Sequence, residues 1–198
     1  MDSSSNDLGL LLISHYLQER GFHETARTLE RESRVIFNLD YFASQIREGL
    51  FDTAEEYLSA FTKASDNWMS ARVIYLVKQL KLIEALYETY AQSIVEREFT
   101  QFETINPRIT DEAIKLVEMR NPRSHPMLQN FHRQSMRMRV AEEVKGIIRT
   151  NPIFRGKLEY PTFQVTLQRL INMADITNGP NGRVISLFNN RYNSIGRN

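Results

Sequence analysis

Two short amphipathic segments hinged at a glycine, Leu8 to Ser33, constrain this chain more than any other stretch. In LGLLLISHYLQERGFHETARTLERES, the residues Leu8, Leu11, Leu12, Tyr16 and Leu17 recur at helical spacing. His23 to Glu32 resume that spacing through Ala26 and Leu29. Between them Gly21 supplies the left-handed residue that ends a first helix over Leu8–Arg20, and Phe22 follows it. Helices this short are marginal alone in water. Each carries an apolar stripe that it cannot bury by itself, so the pair needs a partner, and a second copy of the same pair fits best. The spacing thus predicts a dimer, or a tetramer of two dimers, with Leu8, Leu12, Tyr16, Phe22 and Leu29 at the interface.

The rest of the chain reads as all-α. Pro and Gly are sparse and cluster at breaks. Met1 to Asp7 is polar, with Ser5, Asn6 or Asp7 able to cap the first helix. After the apolar bridge Arg34–Phe37, Asn38 caps a helix that reaches Glu48 and closes at Gly49. Asp52 is expected to cap the next, which buries Ala54, Tyr57, Leu58 and Phe61. Trp68 to Leu86 is strongly periodic, and Gln92 to Phe102 forms another helix. Asn106-Pro107 breaks the chain, after which Thr110 or Asp111 is expected to cap a short helix carrying Ile114 and Val117. A proline loop, NPRSHP, precedes a helix over Met127–Arg149 that ends at Asn151-Pro152. Pro161 opens a last helix through Ala174, and Ile185, Leu187 and Phe188 are placed to pack back.

Several function classes lose support from composition alone. The formal net charge is +1, so no global field points to nucleic acid or to a membrane surface. Cysteine is absent, which excludes disulfides, thiolate zinc ligation and a thiol nucleophile, and fits a reducing compartment. No apolar run approaches the roughly 20 residues that span a bilayer. The start, MDSSSND, lacks a basic region and a cleavage site and does not read as a secretory signal. His15, His23, His125 and His132 have no partners at metal spacing, and the glycines form no phosphate-binding loop. Glu55-Glu56 and Glu142-Glu143 point apart on helices and make poor acid/base pairs. The reading is of a chain that is not an enzyme and holds no cofactor. Arg120 to Lys157 is rich in positive charge, which leaves open a solvated helix face, an acidic partner or a nucleic-acid backbone.

The pattern Leu-Ile-x-x-Tyr-Leu-x-x-x-Gly-Phe-x-x-Thr-Ala-x-x-Leu-x-x-Glu, here Leu12 to Glu32, resembles a LisH motif. The next stretch, NLDYFASQIREGLFDTAEEYLSA, resembles the CTLH motif. The blocks ERESRVIFNLDYF, EEYLSAFTKASDN and NPIFRGKLEYPTF are similar, in order and spacing, to the N-terminal domain of the plant TOPLESS and TOPLESS-related corepressors. The resemblance runs from about Leu8 to about Asn190 and is loose over Tyr87 to Arg139. It implies a flexible start over residues 1–7 and a LisH dimerisation motif over 8–37. A CTLH helical region follows over 38–100, then a helical return over 101–190 and a polar tail over 191–198. It further implies a nuclear transcriptional adaptor that forms homo-oligomers and binds short EAR-type repressor peptides, Leu-x-Leu-x-Leu. The low net charge and the lack of a long apolar run add the expectation of no membrane and no strong nucleic-acid binding.

Such a peptide is extended, so its leucines point one way with a period of two. A receptor for it needs an apolar groove with side pockets and basic groups at the rim. Carried onto this sequence, the resemblance places Arg72, Tyr75, Phe102, Ile109, Leu128 and Ile147 at that groove, with Trp68 and Phe37 beside it. Arg72 and Tyr75 stand three apart on a helix, so both can reach one ligand. For each apolar member, ordinary core packing is the competing reading.

The sequence also departs from the family. Trp68-Met69 stands where the family has Arg-Tyr, and Gln79 where it has Lys. Each change removes a charged rim contact, and together they are expected to weaken peptide binding about tenfold. Val35-Ile36-Phe37 replaces a run of three phenylalanines. The family's zinc site near the domain's end uses a Cys that this chain lacks, so no zinc is expected. Family members continue into WD40 propellers, whereas this sequence ends at Asn198. Three other readings remain open. One is a LisH–CTLH scaffold subunit of another complex, such as a CTLH-type ubiquitin ligase, without EAR binding. The second is a helical nucleic-acid-binding domain acting through Arg120–Lys157. The third is a decayed relative that dimerises with true corepressors and blocks them.

Overall fold

The glycine hinge forms where its sequence predicts. Helix α1 (Ser3–Glu19) runs to Gly21, which takes φ 78°, and helix α2 (His23–Ser33) follows. The turn between them is closed by Gly21 N–H donating to the Gln18 carbonyl at 3.0 Å and Phe22 N–H to the Leu17 carbonyl at 2.8 Å. Helix α1 begins before the expected Leu8 and runs through Ser5, Asn6 and Asp7, so these residues are not its cap. A first turn exposes its amide groups anyway, and small polar residues there cost little. In the computed structural model of this chain, residues 3–86, 99, 102–103, 105–119, 128, 131–159 and 162–177 are described. Every regular element among the described residues is helical, in accord with the all-α class.

Helix α3 (Leu39–Glu48) is bounded at both ends as its sequence dictates. The Asn38 side chain accepts from Tyr41 N–H at 2.8 Å, and Gly49 takes φ 80° at the other end. Helix α4 (Phe51–Ser59) corrects the expected cap: Leu50 holds that position and makes no side-chain cap bond. Asp52 lies in the first turn, where it favours the positive end of the helix dipole and accepts from Lys81 Nζ at 2.5 Å. Helix α5 (Trp68–Ala85) is capped by Asn67, whose oxygen accepts from Ser70 N–H at 2.9 Å. The buried Lys78 of α5 is paired with Glu55, as Lys81 is with Asp52, so neither ammonium is stranded in the interior.

Helix α6 (Pro107–Glu118) starts earlier than expected. Pro107 sits inside its first turn and Asn106 caps it, accepting from Arg108 N–H at 3.3 Å. Thr110 is therefore not a cap but a buried residue of the helix, its hydroxyl donating to the Phe99 carbonyl at 3.1 Å. Helix α7 (Arg133–Thr150) leads into a short 3-10 turn at Pro152–Phe154. Helix α8 (Phe163–Thr177) is the last described element and reaches beyond the expected Ala174. The helix expected over Gln92–Phe102 lies outside the described residues except for Phe99 and Phe102. The proline loop and the apolar tail residues Ile185, Leu187 and Phe188 lie outside them as well.

The chain divides into two compact units, residues 1–36 with 159–198, and residues 37–158. In the first, α1 packs on α2 and on α8. Arg27 and Glu30 form a buried ion pair at 2.6 Å on α2. Ile13, Tyr16 and Phe22 stay about half exposed, whereas Leu8, Leu12 and Leu29 are partly covered. In the second unit, α3, α4, α5 and α7 surround an aromatic core. Phe37 stands at its centre, with the rings of Phe42, Tyr57, Phe61 and Phe154 between 4.7 and 5.5 Å away. Phe37 N–H donates to the Lys157 carbonyl at 2.8 Å, so the two ends of this unit meet.

A cleft between helices α5 and α6

Helix α5 serves two cores with two faces. Val73, Leu76, Val77 and Leu80 enter the aromatic core. Tyr75 and Leu82 join a smaller cluster with Phe99, Phe102, Ala113 and Ile109. Over this second cluster lies an open cleft of about 400 Å³. Its α5 wall is Tyr75, Gln79 and Leu82, and its α6 wall is Ile109, Glu112, Ala113 and Leu116. The α6 wall follows from helical spacing, since 109, 112, 113 and 116 recur at i, i+3, i+4 and i+7. Of the two apolar residues expected on this helix, Val117 packs against the cluster as Ile109 does, whereas Ile114 is exposed.

Tyr75 is the hub of the cleft. Its ring is half-buried and meets Phe102 edge-on at 5.9 Å and Phe99 at 6.5 Å. The Gln79 amide donates to its hydroxyl at 2.8 Å, one helical turn on. Burial, and then the Glu112 carboxylate, push the phenol above its ordinary value, while the Arg72 cation opposes them. The hydroxyl is therefore neutral across the physiological range and remains a donor. The Arg72 guanidinium lies 5.8 Å from the centre of the Tyr75 ring and bonds Glu143 of α7 at 2.9 Å.

The residues expected at a peptide groove are thus distributed unevenly. Tyr75 and Ile109 line the cleft, Phe102 lies fully buried beneath Tyr75, and Arg72 is next to it. Trp68, one turn before Arg72 at the start of α5, is 70% exposed. Ile147 packs against the aromatic core from α7. Leu128 is buried. Phe37 is at 0% exposure in the aromatic core and presents no surface to a ligand. Gln79, expected at the rim as the place of a lost cation, lines the cleft. Leu82, Phe99, Glu112, Ala113 and Leu116 line it too without having been expected, and only the period of α6 from Pro107 onward signals part of this set.

Three cations of the basic stretch, Arg133, Arg137 and Lys145, are paired within the chain. Arg137 holds both oxygens of Glu84, at 2.7 and 2.6 Å, and donates to the Glu48 carbonyl. The Glu84 hydrogen bonds raise the Arg137 guanidinium above its ordinary value. Arg133 also reaches Glu84, and Lys145 bonds Asp40 at 2.9 Å, which lowers the Asp40 carboxyl. These cations are committed to carboxylates before any phosphate arrives.

Comparison with known proteins agrees with this architecture. The LisH family matches residues 10–33, the α1–α2 hairpin. The family described as "TPR1-like, CTLH-containing domain" matches residues 38–158, nearly the bounds of the second unit. Topless-related protein 1 and Protein TOPLESS of Arabidopsis thaliana are each 35% identical over 179 residues, covering 88% of this chain and 16% of the relative. Protein TOPLESS-RELATED PROTEIN 2 of Oryza sativa subsp. japonica is 34% identical over the same length and the same shares. The chain spans about a sixth of the length of these relatives. With a LisH hairpin, a CTLH-containing unit and this identity across most of its length, the chain belongs to the TOPLESS and TOPLESS-related family.

Proposed function

We propose that this chain is the N-terminal domain of a nuclear corepressor adaptor, a binding module and not an enzyme. It recruits repressor proteins by taking up an extended Leu-x-Leu-x-Leu segment in the cleft between α5 and α6. The observation that carries this reading is the cleft itself. It has apolar walls from Leu82, Ile109 and Leu116, an aromatic hub at Tyr75 and a few polar groups at its edge. That composition suits alternate apolar side chains of an extended peptide. The nucleic-acid reading draws less support, because Arg133, Arg137 and Lys145 are paired internally.

Self-association belongs to the same reading. Tyr16 and Phe22, with Ile13, leave apolar surface open on α1 and around the hinge, and Leu8, Leu12 and Leu29 stand partly covered near it in sequence. A second copy would bury that surface and make the adaptor bivalent or tetravalent. Light scattering is expected to give a dimer or tetramer at micromolar concentration, dissociated by Leu12→Ser with Tyr16→Ser. A monomer for the unmodified chain contradicts it.

Peptide uptake is tested by titrating a labelled Leu-x-Leu-x-Leu peptide. Binding is expected in the micromolar range. Tyr75→Ala is expected to remove most of it, on the order of thirtyfold for a central aromatic anchor. Trp68→Arg is expected to restore a cationic rim contact and tighten binding. If the unmodified chain shows no binding at high micromolar peptide and Trp68→Arg restores none, the cleft is not a peptide site and a scaffold role takes its place.

A further inference from the structure

The Arg72 guanidinium lies over the Tyr75 ring, 5.8 Å from its centre, and it is already occupied. Its guanidinium bonds Glu143 at 2.9 Å across the α5–α7 contact, between residues 71 apart in sequence. Both side chains are partly open to solvent, at 44% and 41%, so the pair is exchangeable. On the α6 side of the cleft, Glu112 acts on the Tyr75 hydroxyl and Lys115 stands beside it. The four charges cancel in sign, and Gln79 adds none.

We propose that Glu143 is a specificity-determining residue: the chain supplies its own carboxylate to Arg72 and so discounts acidic flanks on the ligand. This rests on the peptide-binding reading and deepens it. A ligand carboxylate reaching Arg72 must displace Glu143, which competes intramolecularly and without loss of translational freedom. The cleft therefore selects apolar side chains and is nearly indifferent to whether the flanks are acidic or neutral. Removing the Glu143 charge frees Arg72 for the ligand. An exposed ion pair sets the size of the gain, about two- to fivefold in affinity.

The test uses the full chain and two labelled peptides with one Leu-x-Leu-x-Leu core, flanked in one by aspartates and in the other by serines. The unmodified chain is expected to bind both within about twofold. Glu143→Gln is expected to bind the aspartate-flanked peptide two- to fivefold tighter and the serine-flanked one unchanged, which also shows that the variant is folded. Adding Arg72→Gln should erase the gain, and raising salt should shrink it. An equal change for both peptides, or none for either, overturns the role of Glu143. Failure of the unmodified chain to bind the serine-flanked peptide overturns the peptide-binding reading and this inference with it.

Discussion

Replacing Phe37 by alanine is expected to cost about 5 kcal/mol of stability. The ring is fully buried, and four aromatic neighbours stand with centroids 4.7–5.5 Å away. Truncating a buried Phe costs about 3–5 kcal/mol through lost transfer energy and the cavity left behind. Ring pairs add roughly 0.5–1.5 kcal/mol beyond burial, which puts this site at the top of that range. The neighbours come from α3, from α4 and the turn after it, and from the 3-10 turn, and Phe37 N–H is tied to the Lys157 carbonyl, so the site collapses poorly. The assay is urea unfolding followed by circular dichroism at one fixed protein concentration, since self-association would otherwise move the midpoint. With a slope of about 2 kcal/mol per molar, the midpoint should fall by about 2.5 M. Phe37→Leu keeps most of the volume and should cost about 1.5 kcal/mol or less, with peptide affinity within about twofold. A loss below about 1 kcal/mol for Phe37→Ala would refute the core assignment. So would a Phe37→Leu variant of unchanged midpoint that no longer binds peptide.

Gly49→Ala is expected to destabilise by more than about 1 kcal/mol, measured by the same unfolding assay. Gly49 takes φ 80°, and an added Cβ would meet the Arg137 guanidinium at 2.2–2.6 Å, a group held in place by Glu84. Asp66→Asn should flatten part of the acid limb of a stability-against-pH curve. Lys63 N–H and the Thr62 hydroxyl lower the Asp66 carboxyl from its ordinary value of 3.8. A depressed folded value contributes stability above about pH 4, and that stability is lost as pH falls through the folded value. An unchanged acid limb in the variant would show that the Asp66 turn carries none of it.

Local chemistry made several boundaries legible in the sequence. Asn38 and Gly49 bound α3 because a side-chain acceptor and a left-handed glycine are local requirements. The same logic misplaced the start of α6, since Pro107 reads as a break but serves equally as a first-turn residue once Asn106 caps it. Asp52 reads as a cap but lies in the first turn of α4, because first-turn acids and capping acids look alike in sequence. Phe37 and Tyr75 are both aromatic residues among apolar neighbours. Only the fold separates the one at 0% exposure from the one at the wall of a cleft. That cleft joins α5 to α6 across a long intervening stretch, and the Arg72–Glu143 pair spans 71 residues. Periodicity reports faces within a helix and is silent on which faces meet.

The most direct test of the central claim is to cross-link a Leu-x-Leu-x-Leu peptide carrying a photoreactive leucine to the full chain and map the adducts by mass spectrometry. Adducts are predicted on α5 and α6 around Tyr75, Gln79, Ile109 and Leu116, and should disappear with excess unlabelled peptide and in Tyr75→Ala. Adducts confined to α7 or to the α1–α2 hairpin, or no more labelling than a scrambled peptide gives, would contradict the account.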